Sequence, residues 1–188
     1  MEKQNEREHL IGKIIAVELE MFQNVKSRGY AACQELPKTF RMMRWMAHSV
    51  LSDETLASYL DDLEQAGDAG RNLMTEKYAR MESLIPPLKQ DPEIVGIIDE
   101  IVRIEESWMR EFSQEYPEIV KSGAAGFGDY LRGELETYSD RTLRLYLRDA
   151  ETARQEGSNH ARKSYENLFK KLGYESLDDV ARQARDQE

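Results

Sequence analysis

Sulfur and ring-nitrogen chemistry are nearly absent from this chain of 188 residues: it has one cysteine, Cys33, and three histidines, His9, His48 and His160. A lone cysteine closes no internal disulfide. The histidines stand far apart, with no partner at ligand spacing, and read as structural or surface residues. There is no zinc spelling, no phosphate-binding glycine loop and no nucleophile elbow. No apolar run approaches the ~20 residues that a membrane-spanning helix needs, and the first residues, MEKQNEREHL, lack a hydrophobic signal core. The location expected from these absences is the cytoplasm. Positive charge is also in short supply, with 26 Lys and Arg against 36 Asp and Glu and a net charge of −10. Such a field repels phosphate backbones and anionic membranes, so neither nucleic acid nor membrane is an expected partner. Arg141, Arg144 and Arg148 share one helical face and read as surface pairs with Asp140, Glu151 and neighbouring acids.

Proline and glycine are scarce too, five and eleven, while helix-favouring residues abound, which points to an all-α fold. Leu10, Ile14, Val17, Met21 and Val25 form one stripe, so a first helix is expected over residues 3–28. A loop holding Cys33 and Gln34 should follow over residues 29–36, before Pro37 opens a second helix that reaches about Leu51. Ser52, with Asp53 and Glu54 behind it, is the N-cap of a third helix. Gly67 and Gly70 end it, and a fourth is expected from Arg71 to about Leu84, stopped by Pro86 and Pro87. Asp91 and Pro92 start a long fifth helix with Ile94, Ile98, Ile101 and Trp108, ending near Glu115. A glycine-rich connection over residues 122–128 precedes a sixth helix at Tyr130, and Ser139 caps a seventh.

The strongest pattern is internal. Shifting the chain by 87 residues lays residues 52–78 on residues 139–165 with twelve identities in 27 ungapped positions, where roughly two or three are expected by chance. Gly70 meets Gly157 and Asn72 meets Asn159, matches that shared amphipathicity does not explain. Upstream, Ile14 to Glu18 lies on Ile101 to Glu105. The expectation is one domain of internally duplicated four-helix units, repeat 1 about 8–85 and repeat 2 about 93–172, packed with pseudo-twofold symmetry. A short helix over residues 176–187 adds to the eight. The departures from the repeat are Arg71 against Ser158, Leu73 against His160, Lys77 against Ser164 and Trp45 against Arg132.

Several polar residues interrupt the apolar stripes. Glu18 and Glu20 in one unit, with Glu105 and Glu106 in the other, suggest a carboxylate-bound metal as a lesser alternative. The Glu-x-x-His spacing of helical carboxylate sites occurs only at Glu6 and His9. Arg71, Asn72, Lys77, Tyr78 and Arg80 crowd the start of the fourth helix, a place that suits carboxylate or phosphate groups. Arg132, Glu134 and Glu136 are similarly placed on the sixth, where salt bridges between helices are the plain reading. Cys33 has no nearby base and reads as incidental.

The phrases VELEMFQNV, AACQE, SYLDDLEQA, GRNLMTEKYARM and YLRGELETYSDRTL, taken together, resemble the bacterial and archaeal domain-of-unknown-function 4125 family over residues 8–177. The resemblance implies no activity, cofactor or catalytic residue. The function expected from the residues is a helical binding or accessory protein. Its cleft between the repeats would be lined by Glu18, Arg44, Tyr59, Arg71, Asn72, Tyr78, Glu105, Trp108, Arg132 and Tyr146, for a small anionic ligand or a protein partner, with no cofactor. One alternative is a small enzyme in which Glu18 or Glu105 is the general base and Arg71 or Arg132 orients an anionic substrate. Another is a purely structural interaction module with an exposed apolar groove.

Overall fold

The computed structural model describes residues 2–25, 37–120 and 125–186. Among them are nine helices and no strand: α1 Glu2–Gln23, α2 Pro37–His48, α3 Asp53–Asp68, α4 Leu73–Met81, α5 Pro92–Glu115, α6 Phe127–Leu135, α7 Asp140–Gln155, α8 His160–Lys171 and α9 Leu177–Arg185. None of these helices is long and apolar enough to cross a membrane. The loop expected at residues 29–36, with Cys33 and Gln34, lies outside the described residues, as do residues 121–124 of the expected glycine-rich connection.

Local chemistry sets the helix ends. Ser52 and Ser139 hold extended backbone and accept from the amides of Thr55 and Thr142, each at 3.2 Å. Asn72, rather than Arg71, begins α4, its side chain accepting from Thr75 N at 2.9 Å, and Asn159 does the same for Arg162 N at α8. At the other end of α3, Gly70 takes φ 68° and Arg71 N reaches back to Ala66 O at 2.8 Å. Gly157 takes φ 69° after α7, and Ser158 N reaches Ala153 O at 2.8 Å. A positive φ costs a residue with a Cβ about 1–2 kcal/mol, which explains glycine at both places. Helix α4 closes earlier than expected, at Met81, because Ser83 adopts φ 55° and Leu84 N turns back to Ala79 O. Helix α6 starts earlier than Tyr130, at Phe127, behind Gly126 in the left-handed region.

Helix α1 packs on α2, α3 and α4; α5 packs on α6, α7 and α8. These two sets join through α3 against α7, α4 against α6 and α2 against α8, while α9 rests on α8. The main core gathers Ile11, Ile14, Leu56, Tyr59, Leu63, Ile98, Ile101, Leu135 and Leu143, and a smaller one lies around Trp108, Phe112, Ala150 and Leu177. The α3–α7 seam is crossed twice by the same bond. Asp149 Oδ2 accepts from Ser52 N at 2.8 Å, and Asp62 Oδ2 accepts from Ser139 N at 2.9 Å. Above them Arg148 pairs with Glu54 at 2.7 Å and Arg141 with Asp61 at 3.6 Å.

The Asp62→Ala and Asp149→Ala substitutions each leave a cap amide unpaired at this seam and are expected to cost about 1–3 kcal/mol in urea unfolding. Asp149→Ala is the more damaging, because the same Oδ2 also accepts from the Thr55 hydroxyl at 2.5 Å.

Candidate functional site

An otherwise apolar face of α1 carries Glu18, which is completely buried. A carboxylate in that position is tolerable only if cations and donors replace its lost water. Helix α2 supplies Arg44, whose Nε donates to Glu18 Oε2 at 2.9 Å while Nη2 donates to Oε1. The other edge of the guanidinium serves Glu134 of α6, Nη1 to Oε2 at 3.0 Å and Nη2 to Oε1 at 2.8 Å. Arg44 is thus clamped by two carboxylates from opposite sets of helices. Lys77 of α4 donates to Glu134 Oε2 at 2.5 Å and lies 3.4 Å from the centroid of the Tyr130 ring. Gly133 makes this approach possible, since a Cβ there would meet Met81 Cγ at 2.9 Å and Lys77 O at 3.3 Å. Tyr59 donates to Glu18 and Tyr138 to Glu134, at 2.9 and 2.8 Å, and His48 Nε2 sits 3.1 and 3.2 Å from the Glu18 oxygens.

The cluster balances two carboxylates against two cations. Burial on its own raises the Glu18 pKa, but Arg44 and His48 outweigh it and hold the carboxyl down to about 2. Glu134 is likewise held well below the usual carboxylate range, Arg44 and Lys77 overriding its burial. Burial and the adjoining carboxylates push the Tyr59 and Tyr138 hydroxyls well above the ordinary tyrosine range, so both stay protonated donors.

A second, smaller polar group surrounds Glu105 of α5. His160, the first residue of α8, points Nδ1 at Glu105 Oε1 from 2.8 Å, and Tyr146 of α7 donates to the same oxygen at 3.3 Å. Trp108 packs on the His160 ring with centroids 4.8 Å apart. No arginine takes part, because Leu131 occupies the position 87 residues after Arg44. Between the two groups lies a cavity of about 120 Å³, with Glu105, His160 and Tyr146 on one side and Arg44, His48, Glu134 and Tyr138 on the other. Met46, Leu51, Met109, Leu131 and Ala161 make the rest of its wall mainly apolar. His48 Nδ1 is buried without a hydrogen-bond partner. Among the described residues, Glu105 Oε2 and His160 Nε2 are also unpartnered.

Of the residues selected from sequence, Glu18, Arg44 and Tyr59 meet in the first group, and Glu105, Trp108 and Tyr146 in the second. The other four lie apart. Arg71 is exposed and forked onto Glu76 at 2.9 and 2.6 Å, and Asn72 donates from its side chain to Met21 O at 2.8 Å. Tyr78 packs near Phe22, and Arg132 pairs with Asp99 at the surface. Glu134, Lys77, His48, Tyr138 and His160 were not selected. The signal for two of them was present, since Lys77 and His160 are departures from the internal repeat. No group of three or more metal-ligating side chains occurs among the described residues. Glu20 is solvent-exposed whereas Glu18 is buried, so the carboxylates do not converge. Larger hollows of about 470 Å³, one beside α8 and Tyr174, are open and lined by charged surface side chains.

Residues 8–182 match the model of a family described as a protein of unknown function, DUF4125. No curated protein and no solved structure matches the chain.

Removing Arg44 leaves the buried Glu18 without a permanent cation, while Glu134 keeps only Lys77. Arg44→Met is expected to cost about 3–5 kcal/mol at neutral pH in chemical unfolding. The pH dependence should also change sign. In the wild type the Glu18 and Glu134 pKa values are depressed, so their stabilisation is complete above pH 4.5 and, for Glu18, is lost as pH falls through about 2. In Arg44→Met, burial without the arginine raises the Glu18 carboxyl, while Glu134 keeps its bond to Lys77, and the variant is expected to gain stability on acidification from pH 7 to 5.

Proposed function

The chain belongs to the DUF4125 family, and we propose that it is a cytoplasmic small-molecule-binding protein built from two copies of one four-helix unit. The ligand sits in the cavity between the copies. Residues 8–85 and 93–172 are the units of a single domain, with α9 added to the second. Support for the duplication comes from structure at positions 87 residues apart: the serine caps, the asparagine caps, the glycine turns and the crossed Ser–Asp bonds. Asn159 donates to Trp108 O at 3.3 Å as Asn72 does to Met21 O. A twofold exchange turns the α2–α8 contact into α6–α4 and leaves α3 against α7, and all three are observed.

The binding reading rests on one observation. His48 Nδ1, on a side chain 1% exposed, is buried without a hydrogen-bond partner at a cavity that both units line, and Glu105 and His160, 5% exposed each, border the same space. Leaving a buried polar atom unsatisfied costs about 1–3 kcal/mol, so such atoms persist where something else satisfies them. Arg44 and its carboxylates form the rigid wall against which a ligand is held.

An enzyme is the second reading, favoured by the carboxylate-oriented imidazole. With Nδ1–H given to Glu105, a neutral His160 carries its lone pair on Nε2, the arrangement of a general base. Glu18 is unsuited to that role, since a carboxyl held down to about 2 is a weak base. Arg71 and Arg132, the expected substrate-orienting groups, are paired on the surface.

The test of the binding reading is native mass spectrometry of the purified protein together with thermal unfolding against small molecules of up to six heavy atoms. Saturable stabilisation by at least one is expected, approaching about 2.7 kcal/mol at a hundredfold excess over Kd. Ala161→Leu, which fills the cavity from α8, should fold and lose that response. A wild-type melting temperature unmoved by the whole panel would rule the cavity out as a ligand site.

A further inference from the structure

We infer that the cavity between α2, α5, α6 and α8 selects a small organic ammonium ion, a primary amine on a short apolar body. This inference rests on the binding reading above and reverses the charge expected of the ligand.

The donor and acceptor inventory decides the class. Among the described residues each buried donor atom on the cavity wall already has an acceptor: Tyr138 in Glu134, Tyr146 in Glu105, Ser164 Oγ in Ala161 O at 2.9 Å, and the three Arg44 nitrogens in Glu18 and Glu134. What remains unpartnered is acceptors: Glu105 Oε2, and Nε2 of His160 when its Nδ1–H serves the carboxylate. His48 Nδ1 is a further one when the ring is neutral and its Nε2–H serves the Glu18 oxygens. A carboxylate or phosphate ligand finds no donor here. An ammonium group brings three N–H donors.

Charge points the same way. Arg44 and Lys77 are matched by Glu18 and Glu134, so Glu105 is the one carboxylate at the cavity without a permanent cation. A bound monocation completes the neutrality that the first cluster already has, and charges withdrawn from water need that compensation. Size limits the body: a cavity of about 150 Å³ takes benzene, so about 120 Å³ suits a chain of a few carbons.

The internal repeat explains why the space exists. Lys77 and Glu134 fill the gap between α4 and α6, and the positions 87 residues away are Ser164 and Ala47, on α8 and α2. Both line the cavity. Where one unit inserts its own alkylammonium side chain, the other leaves room for one from outside.

Three probes of matched shape test this on the full chain: butylammonium chloride, 1-butanol and sodium butyrate, by thermal unfolding at constant ionic strength and by calorimetric titration. Butylammonium should bind at least tenfold more tightly than butyrate, with 1-butanol between them. Glu105→Gln should abolish that preference while keeping 1-butanol binding, and Ala161→Leu, which leaves the polar atoms in place, should abolish all binding. Equal or tighter binding of butyrate or 1-butanol by the wild type overturns the ammonium assignment and leaves the cavity reading standing. Silence of all three probes overturns both. Should Glu105→Gln fail to fold, the wild-type comparison decides the matter alone.

Discussion

The structure depends on a guanidinium held between two carboxylates at the centre of the helical assembly. Arg44 is 5% exposed, and its hydrogen bonds reach Glu18 on α1 and Glu134 on α6. Burying an ion costs several kcal/mol even after relaxation, so each member is acceptable only while the others are present. That mutual requirement fixes more than stability. It sets the position of α2 between the two groups of helices, and it brings Lys77 in from α4 to neutralise the second carboxylate. Tyr59, Tyr138 and His48 then occupy the remaining lone pairs. An apolar core of the same size would pack these helices equally well but would not specify which helix meets which.

Much of this frame could be read from the sequence, because the signals were local. Caps, turn glycines and apolar periodicity fix where α3, α5 and α7 begin, and Ser52, Asp91 and Ser139 do in the structure what their residue types favour. The end of α4 moved because a backbone turn at Ser83 overrode periodicity. Burial of charge was harder to read. Glu18, Arg44 and Tyr59 stand out as polar residues in apolar stripes, whereas Glu134 and Lys77 sit among other charges on helices whose exposed faces carry the same residue types. Nothing in one sequence separates an ion pair in the core from one on the surface, and Arg71 with Glu76 is the opposite outcome of a similar spelling. Partnership over 57 or 90 residues, as for Lys77 and Arg44 with Glu134, is a property of the packing.

The two carboxylates that lie 87 residues apart have unlike surroundings. Glu18 and Glu105 occupy equivalent positions on α1 and α5, and each receives a tyrosine from the helix packed against it, Tyr59 or Tyr146. There the likeness ends. Glu18 is forked onto an arginine and both its oxygens are taken. Glu105 meets His160 instead, at a position where the first unit has Leu73, and keeps Oε2 unpartnered.

Saturation and openness are therefore distributed unevenly between the two carboxylates. A carboxylate pinned by a fork of charge-assisted bonds has no lone pair to offer and a pKa too low to move a proton near neutrality. One held by an imidazole and a phenol, as Glu105 is, keeps an oxygen without a partner among the described residues. The cluster of Arg44, Glu18, Glu134 and Lys77 has spent its charged atoms on one another, and His48 Nδ1 is the atom beside it that stays unpartnered. The neighbouring group differs, with His160 and Ser164 where the positions 87 residues earlier are Leu73 and Lys77, and it borders the cavity.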